Sequence, residues 1–165
     1  MSCERCAASC PAAGGAKAPA ARKAAGGVTV ALLGQPNSGK STLFNGLTGA
    51  RQHVGNYPGV TVDRKEGKTV ERKEGTFERG GTAFQVVDLP GSYGLAANSP
   101  EEEVTRDYLA SGAADIVLVM ADASQLERSL YMLADFVAAC PEQPCLLALN
   151  LMDVAENQGK RIDAA

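Results

Sequence analysis

Net charge, long apolar runs and histidine are all scarce in this chain. Lys and Arg number 16 against 19 Asp and Glu, a formal net charge of −3, so electrostatics give no reason to expect nucleic acid as the main partner. No segment approaches the roughly 18 apolar residues needed to cross a bilayer. The strongest candidate, Ile116 to Ala121, is short and flanked by Asp115 and Asp122. The N-terminus lacks the apolar stretch of a secretory signal. A soluble, cytoplasmic chain is expected, which can still be one part of a membrane protein. Five cysteines, an odd number, do not make a complete disulfide framework. Cys140 and Cys145 lie in or beside apolar segments and are expected as small buried hydrophobes. Cys3, Cys6 and Cys10 form C-x2-C-x3-C without a fourth ligand nearby, because the single histidine, His53, falls in a loop region. A plain flexible tail is the expectation there, in preference to a thiolate metal site.

What remains suits one ordinary domain: 165 residues, 45% hydrophobic and 21% charged. Residues 1–27 are rich in Ala, Gly and Pro without apolar periodicity, and are expected to be disordered. The folded part runs from Val28 to the last residue, 165. Val28–Leu33 reads as a buried parallel strand, and Leu43, Phe44 and Leu47 have helical spacing. Residues 50–60 carry Gly55, Asn56, Pro58 and Gly59 and are expected to form a loop. Val62–Phe77 suggests edge strands and turns, and Ala83–Asp88 another strand. Ser99-Pro100-Glu101-Glu102 starts a helix with a capping Ser and Pro in the first turn. Asp115–Asp122 is an apolar strand. Leu126, Leu130, Leu133 and Val137 mark the buried face of the helix after it. Pro144–Asn150 is a further strand, and residues 154–165 look like a polar loop opening into a helix. No internal repeat is read from the chain. Alternating strands and helices predict an α/β fold with a mainly parallel sheet covered on both faces. Ligands then bind at the carboxyl ends of strands.

The motifs fall at those ends. Gly34-Gln35-Pro36-Asn37-Ser38-Gly39-Lys40-Ser41 matches G-x4-G-K-[ST] between a strand and a helix. Its glycines let main-chain N–H groups surround phosphate oxygens. Lys40 supplies charge to the β- and γ-phosphates, Ser41 a hydroxyl to Mg²⁺, and Thr42 continues the helix start. Asp88-Leu-Pro-Gly91 closes a strand: the carboxylate can hold Mg²⁺ and the Gly91 N–H can approach a γ-phosphate. Asn150-Leu-Met152-Asp153 follows a later strand, and a carboxylate there accepts both N–H groups on one edge of guanine. Leu151 stands where such motifs carry Lys, so apolar stacking on the base would replace the Lys stem. Thr61, after Gly59 and Val60, is placed to ligate Mg²⁺ only while a γ-phosphate is present, as in a nucleotide-dependent switch.

Together the P-loop through Asn45, the loop Val54-Gly-Asn-Tyr-Pro-Gly-Val-Thr-Val62, Asp88-Leu-Pro-Gly-Ser-Tyr93, Asp122–Tyr131 and Asn150–Ala155 resemble the G domain of the ferrous iron transport protein B (FeoB) family. The resemblance covers about residues 28–163. It implies a Ras-like P-loop NTPase fold, GTP and GDP as ligands with Mg²⁺, and hydrolysis of GTP to GDP and phosphate. It also implies a place at the cytoplasmic face of the bacterial inner membrane, beside a membrane-spanning transport region that follows. A small Feo accessory protein and a second copy of the chain are further partners it allows. Ser92 follows Gly91, so no Gln stands there to orient water. Asn37 matches the P-loop Asn that holds K⁺ in GTPases of this kind, which predicts slow, K⁺-stimulated hydrolysis. Gln35 replaces the family's commoner Asn at a position expected to tolerate change. A Ser-Ala type loop backing the guanine is not found before residue 165, so the G domain is expected to be incomplete, with its last strand and helix missing. The rival readings are a ribosome- or tRNA-associated K⁺-dependent GTPase, and a guanine-nucleotide module without useful turnover.

Overall fold

The computed structural model describes residues 27–49, 52–56, 71–96 and 98–163. Among the described residues six strands and four α-helices follow one another: β1 (Val28–Gly34), α1 (Lys40–Thr48), β2 (Gln52–Asn56), β3 (Glu71–Arg79), β4 (Thr82–Asp88), α2 (Pro100–Ala110), β5 (Ile116–Asp122), α3 (Leu126–Ala139), β6 (Cys145–Asn150) and α4 (Met152–Asn157), with a single 3-10 turn at Ala123–Gln125 leading into α3. They build one six-stranded sheet in the order β2-β3-β4-β1-β5-β6. The ladders of β1 with β4, β1 with β5, and β5 with β6 are parallel. Those of β2 with β3 and β3 with β4 are antiparallel. This is the expected α/β sheet, parallel between β1, β4, β5 and β6 and antiparallel across the tight Gly80-Gly81 turn from β3 to β4.

Alternation along the strands sends side chains to two cores. Leu32, Val86 and Phe44 are buried on the α1 face, with Val30, Leu43, Leu47, Phe77 and Leu118 packed around them. Ala31, Leu33, Val87, Val117 and Val119 face the other way, against Tyr108 and Leu109 of α2 and Met132 and Phe136 of α3. Each large apolar side chain buried in this way contributes about 1.5–3 kcal/mol. Helix α2 starts as expected: the Glu102 N–H donates to Ser99 Oγ (3.2 Å), and the Asn98 N–H to Glu102 Oε2 (3.0 Å). This reciprocal cap is written in four residues and needs no tertiary help.

Three expectations are corrected. Residues 52–56 form strand β2, not a loop, because pairing with β3 outweighs the weak strand propensity of Gly55 and Asn56. The buried face of α3 is Ser129, Met132 and Phe136; Leu130 and Val137 are exposed and Leu126 is half-buried. A serine inside the buried stripe hid the true phase: Ser129 Oγ accepts the Asp122 N–H at 3.1 Å, which no hydrophobic pattern reveals. Cys140, at the end of α3, is half-buried against the core, and Cys145 is exposed, since β6 is an outer strand whose Leu146 and Leu147 are also uncovered. In addition, the polar segment after Asp153 is already helical, within α4. The tail with Cys3, Cys6 and Cys10 lies outside the described residues. Among the described residues no helix is long and apolar enough to cross a membrane, and no cluster of His, Cys, Asp or Glu could hold a metal ion.

Candidate phosphate and nucleotide site

β1 delivers the chain to the sheet's carboxyl edge, and α1 begins six residues later at Lys40. The bend between them needs unusual backbone. Gly39 caps α1 with φ 93°, and Asn37 has φ 64°. A Cβ on Gly39 would stand 2.1 Å from Nδ2 of Asn150, so only glycine fits both the angle and the space. That Nδ2 donates to the Ser38 carbonyl at 3.0 Å, tying the end of β6 to the bend. Asn150 thus has a role in holding the loop, which its spacing in the sequence did not disclose.

Lys40 is buried, and its ammonium donates to the carbonyls of Gly34 (2.9 Å) and Gln35 (3.0 Å). Burial lowers its pKa, and the nearby Asp88 carboxylate opposes that shift. Ser41 Oγ donates to Asp88 Oδ2 at 3.0 Å. The other carboxylate oxygen, Oδ1, is buried and has no hydrogen-bond partner among the described residues. Burial raises the Asp88 pKa; the Ser41 hydrogen bond, Lys40 and Lys73 pull it back down. Ser41 and Asp88 therefore form an oxygen pair with unused acceptor capacity, the donor set a hard cation such as Mg²⁺ selects.

Pro36, Asn37, Lys40, Ser41, Lys73, Asp88, Leu89, Pro90 and Gly91 surround one cleft of about 320 Å³. Gly91 lies against the P-loop: an added Cβ would be 3.0 Å from the Pro36 N and Cα atoms. Positions 36 and 91, 55 residues apart, are thereby brought into close main-chain approach. Lys73 is new to the site. It lies directly opposite Asp88 in the β3–β4 ladder, a register that no motif announces. A larger cleft of about 480 Å³ lies elsewhere, between residues 123–128 and 160–162, where the Lys160 ammonium donates to the Ser124 carbonyl. Its own hydroxyl–carboxylate pair, Ser124 Oγ on Asp122 Oδ1 (2.6 Å), has that same oxygen also taking the Ser124 N–H, and none of the Gly34–Ser41 or Asp88–Gly91 motif residues lines it, so the smaller cleft is the candidate site.

Gln35 is not simply tolerated. It is buried, and its Nε2 donates to the Arg128 carbonyl at 2.7 Å, fastening the P-loop to α3. The Arg128 guanidinium in turn lies 4.4 Å from the centroid of the Tyr93 ring. Thr42 is exposed in the first turn of α1, and Met152 and Asp153 are exposed at the start of α4. Leu151 is half-buried with φ 58°. Gly59, Val60 and Thr61 lie outside the described residues, as does the side chain of His53.

A carboxyl whose native pKa is raised above its unfolded value carries a stability cost at high pH that is relieved as the pH falls through the native pKa. Asp88→Asn keeps an oxygen for Ser41 and removes the buried charge. It should therefore raise the Tm of the ligand-free protein at pH 7, while abolishing any stabilisation that Mg²⁺ adds. Thermal melts at pH 7 with and without Mg²⁺ and nucleotide check both halves. An unchanged or lower ligand-free Tm would contradict the charge penalty.

A family model described as Ferrous iron transport protein B matches residues 28–165. The Fe(2+) transporters FeoB of Salmonella typhimurium and Shigella flexneri are each 46% identical over 140 residues, which is 82% of this chain. The chain spans 17% of the length of these curated relatives. Among solved structures, the G domain of the T. maritima FeoB iron transporter superposes with TM-score 0.70 at 43% identity, over 82% of this chain and 77% of that one. The cytosolic domain of the T. maritima protein in a GMPPNP form gives 0.71 at 44% identity, over 82% and 50%. A GDP form of that domain gives 0.72 with the same identity and coverage.

Proposed function

The chain belongs to the ferrous iron transport protein B (FeoB) family, and from that premise we propose that it binds GTP and GDP with Mg²⁺, hydrolyses GTP to GDP and phosphate, and acts as the nucleotide-dependent switch of a membrane iron transporter. One observation carries the reading: Lys40, the Ser41–Asp88 pair and Gly91 share a single cleft at the carboxyl ends of β1 and β4. The GDP and GMPPNP forms of the T. maritima relative support the choice of nucleotide. The family match sets aside the ribosome- or tRNA-associated alternative.

Main-chain N–H groups from Asn37 to Ser41 and the Lys40 ammonium would hold the β- and γ-phosphates. Ser41, Asp88 and Thr61 would hold Mg²⁺, which supplies positive charge against the phosphate oxygens. Gly91, pressed against Pro36, keeps its N–H at the cleft for the γ-phosphate. Asn150 holds the bend, and Asp153 selects guanine through its two edge N–H groups. The expected setting is the cytoplasmic face of the inner membrane, next to a transport region in the full-length protein. A small Feo accessory protein or a second copy of the chain are partners of the same proposal.

Calorimetry separates these claims. Heat with GTP or GDP and Mg²⁺ but not with ATP is expected; no heat with folded protein and guanine nucleotide overturns the proposal. Single-turnover hydrolysis then distinguishes an enzyme from a module without turnover.

Asn37 lies at the rim of the same cleft with an exposed amide and no Gln follows Gly91, so a monovalent cation held by that amide would offset charge developing on the phosphates. Hydrolysis should be slow and faster in K⁺ than in Na⁺. Asn37→Ala should remove that difference while leaving GDP affinity within about threefold, the effect of one lost neutral hydrogen bond. Equal rates in K⁺ and Na⁺ for the unaltered protein would refute it.

A further inference from the structure

The register of β3 exposes a feature that the reading of no internal repeat missed. Residues 61–68, Thr-Val-Asp-Arg-Lys-Glu-Gly-Lys, are followed without a gap by residues 69–76, Thr-Val-Glu-Arg-Lys-Glu-Gly-Thr. The copies differ only at Asp63 against Glu71 and at Lys68 against Thr76. The structure uses the second copy: Glu71 to Thr76 lie in β3, paired with β2 on one side and, from Lys73 on, with β4 on the other. We propose that the two copies compete for this strand, so that β3 exchanges between two registers eight residues apart.

An eight-residue step is even, so every side chain keeps its face of the sheet. In the alternative register Lys65 takes the place of Lys73 opposite Asp88, Glu66 that of Glu74, and Gly67 that of buried Gly75 opposite Val86. The charge beside the cleft, and the missing side chain where α1 covers the sheet, are the same in both. The connections trade length. Residues 57–70 join β2 to β3 in the observed register, and only 57–62 would do so in the other. The β3–β4 turn at Gly80-Gly81, where both residues have positive φ, would grow by the same eight residues. Closure entropy depends weakly on loop length, so shortening one connection offsets much of lengthening the other.

Phe77 is the main difference between the registers, since the other exchanges that follow it, Val70 for Glu78 and Glu71 for Arg79, fall at exposed positions. Its ring stacks on Phe84 with centroids 4.9 Å apart and planes 9° from parallel, on the face covered by α1. In the alternative register Thr69 would stand at that position, and the aromatic pair is lost. The observed register is therefore the major one and the other a minor state. The exchange alters the number of residues between β2 and β3 without changing the P-loop sequence. It stands independently of whether the cleft binds nucleotide.

Paired cysteines in the full chain, with the five native cysteines changed to Ser, test this. Thr76→Cys with Gln85→Cys, opposite one another in the β3–β4 ladder, reports the observed register under mild oxidation. Lys68→Cys with Gln85→Cys reports the other. The first pair should cross-link almost fully and the second to a minor but definite extent. Thr69→Phe, which gives the first copy its own aromatic without disturbing the observed register, should raise the second product by about tenfold relative to the first. Phe77→Thr should shift the ratio the same way. Product from the Lys68 pair no greater than from Lys68→Cys with Glu142→Cys, in all three backgrounds, overturns the proposal.

Discussion

Lys40→Ala lowers the affinity for GTP and GDP by roughly 10²- to 10⁴-fold while leaving the ligand-free fold intact. Its ammonium is the cleft's buried cation, and in the free protein it rests on two main-chain carbonyls, Gly34 and Gln35. Those bonds keep the charge at the mouth of the bend, so phosphate oxygens entering the proposed site would find it already placed. Hydrogen bonds to a charged group contribute about 1.5–3 kcal/mol each, and two on neighbouring phosphates account for the estimate. The fold does not need the charge, because burial already disfavours it. Titration calorimetry measures the first effect and a ligand-free thermal melt the second. Wild-type affinity in the alanine variant would place the phosphates elsewhere. Loss of the melt transition would instead make Lys40 a structural residue.

The second large effect falls on the base. Asp153→Asn should weaken guanine nucleotides by roughly 10²- to 10⁴-fold, because two charge-assisted hydrogen bonds become one neutral bond and one donor-to-donor clash. Xanthine presents an oxygen where guanine has its exocyclic amine, so the Asn amide can donate there. Xanthosine nucleotides should gain affinity in the variant. Asp153 is exposed in the first turn of α4, so its loss should not affect folding. Competition titrations with guanosine and xanthosine diphosphates give the result directly. A uniform loss for both bases would remove Asp153 from base selection.

Much of the site was legible because its chemistry is local. A strand, a glycine-rich bend and a helix start dictate the P-loop within 14 residues of sequence, and the Ser99–Glu102 cap is equally self-contained. The phase of α3 was not legible. It depends on Ser129 accepting a hydrogen bond from Asp122, and a polar residue in a buried stripe carries no periodic signal. Strand β2 was missed for the opposite reason: its residues are poor strand formers, and the strand exists because β3 lies beside it. Gln35 looked replaceable until Arg128, 93 residues away, appeared as its partner.

The chain's residues alone pointed to the family and the α/β alternation, and picked out Lys40, Ser41, Asp88 and Asp153 as the residues of the proposed nucleotide site. These follow from short-range spacing and from backbone angles that only certain residues adopt. Only the tertiary structure decided that Lys73 stands beside Asp88, that Gly91 touches Pro36, that Asn150 grips the bend, and which of two identical Arg-Lys-Glu-Gly copies occupies β3. Those outcomes rest on strand register and on packing between distant segments. Interactions of that kind are settled by competition among whole-sheet arrangements, and even where both competitors are adjacent in sequence, as at residues 61–76, the choice between them is made by distant partners such as Phe84.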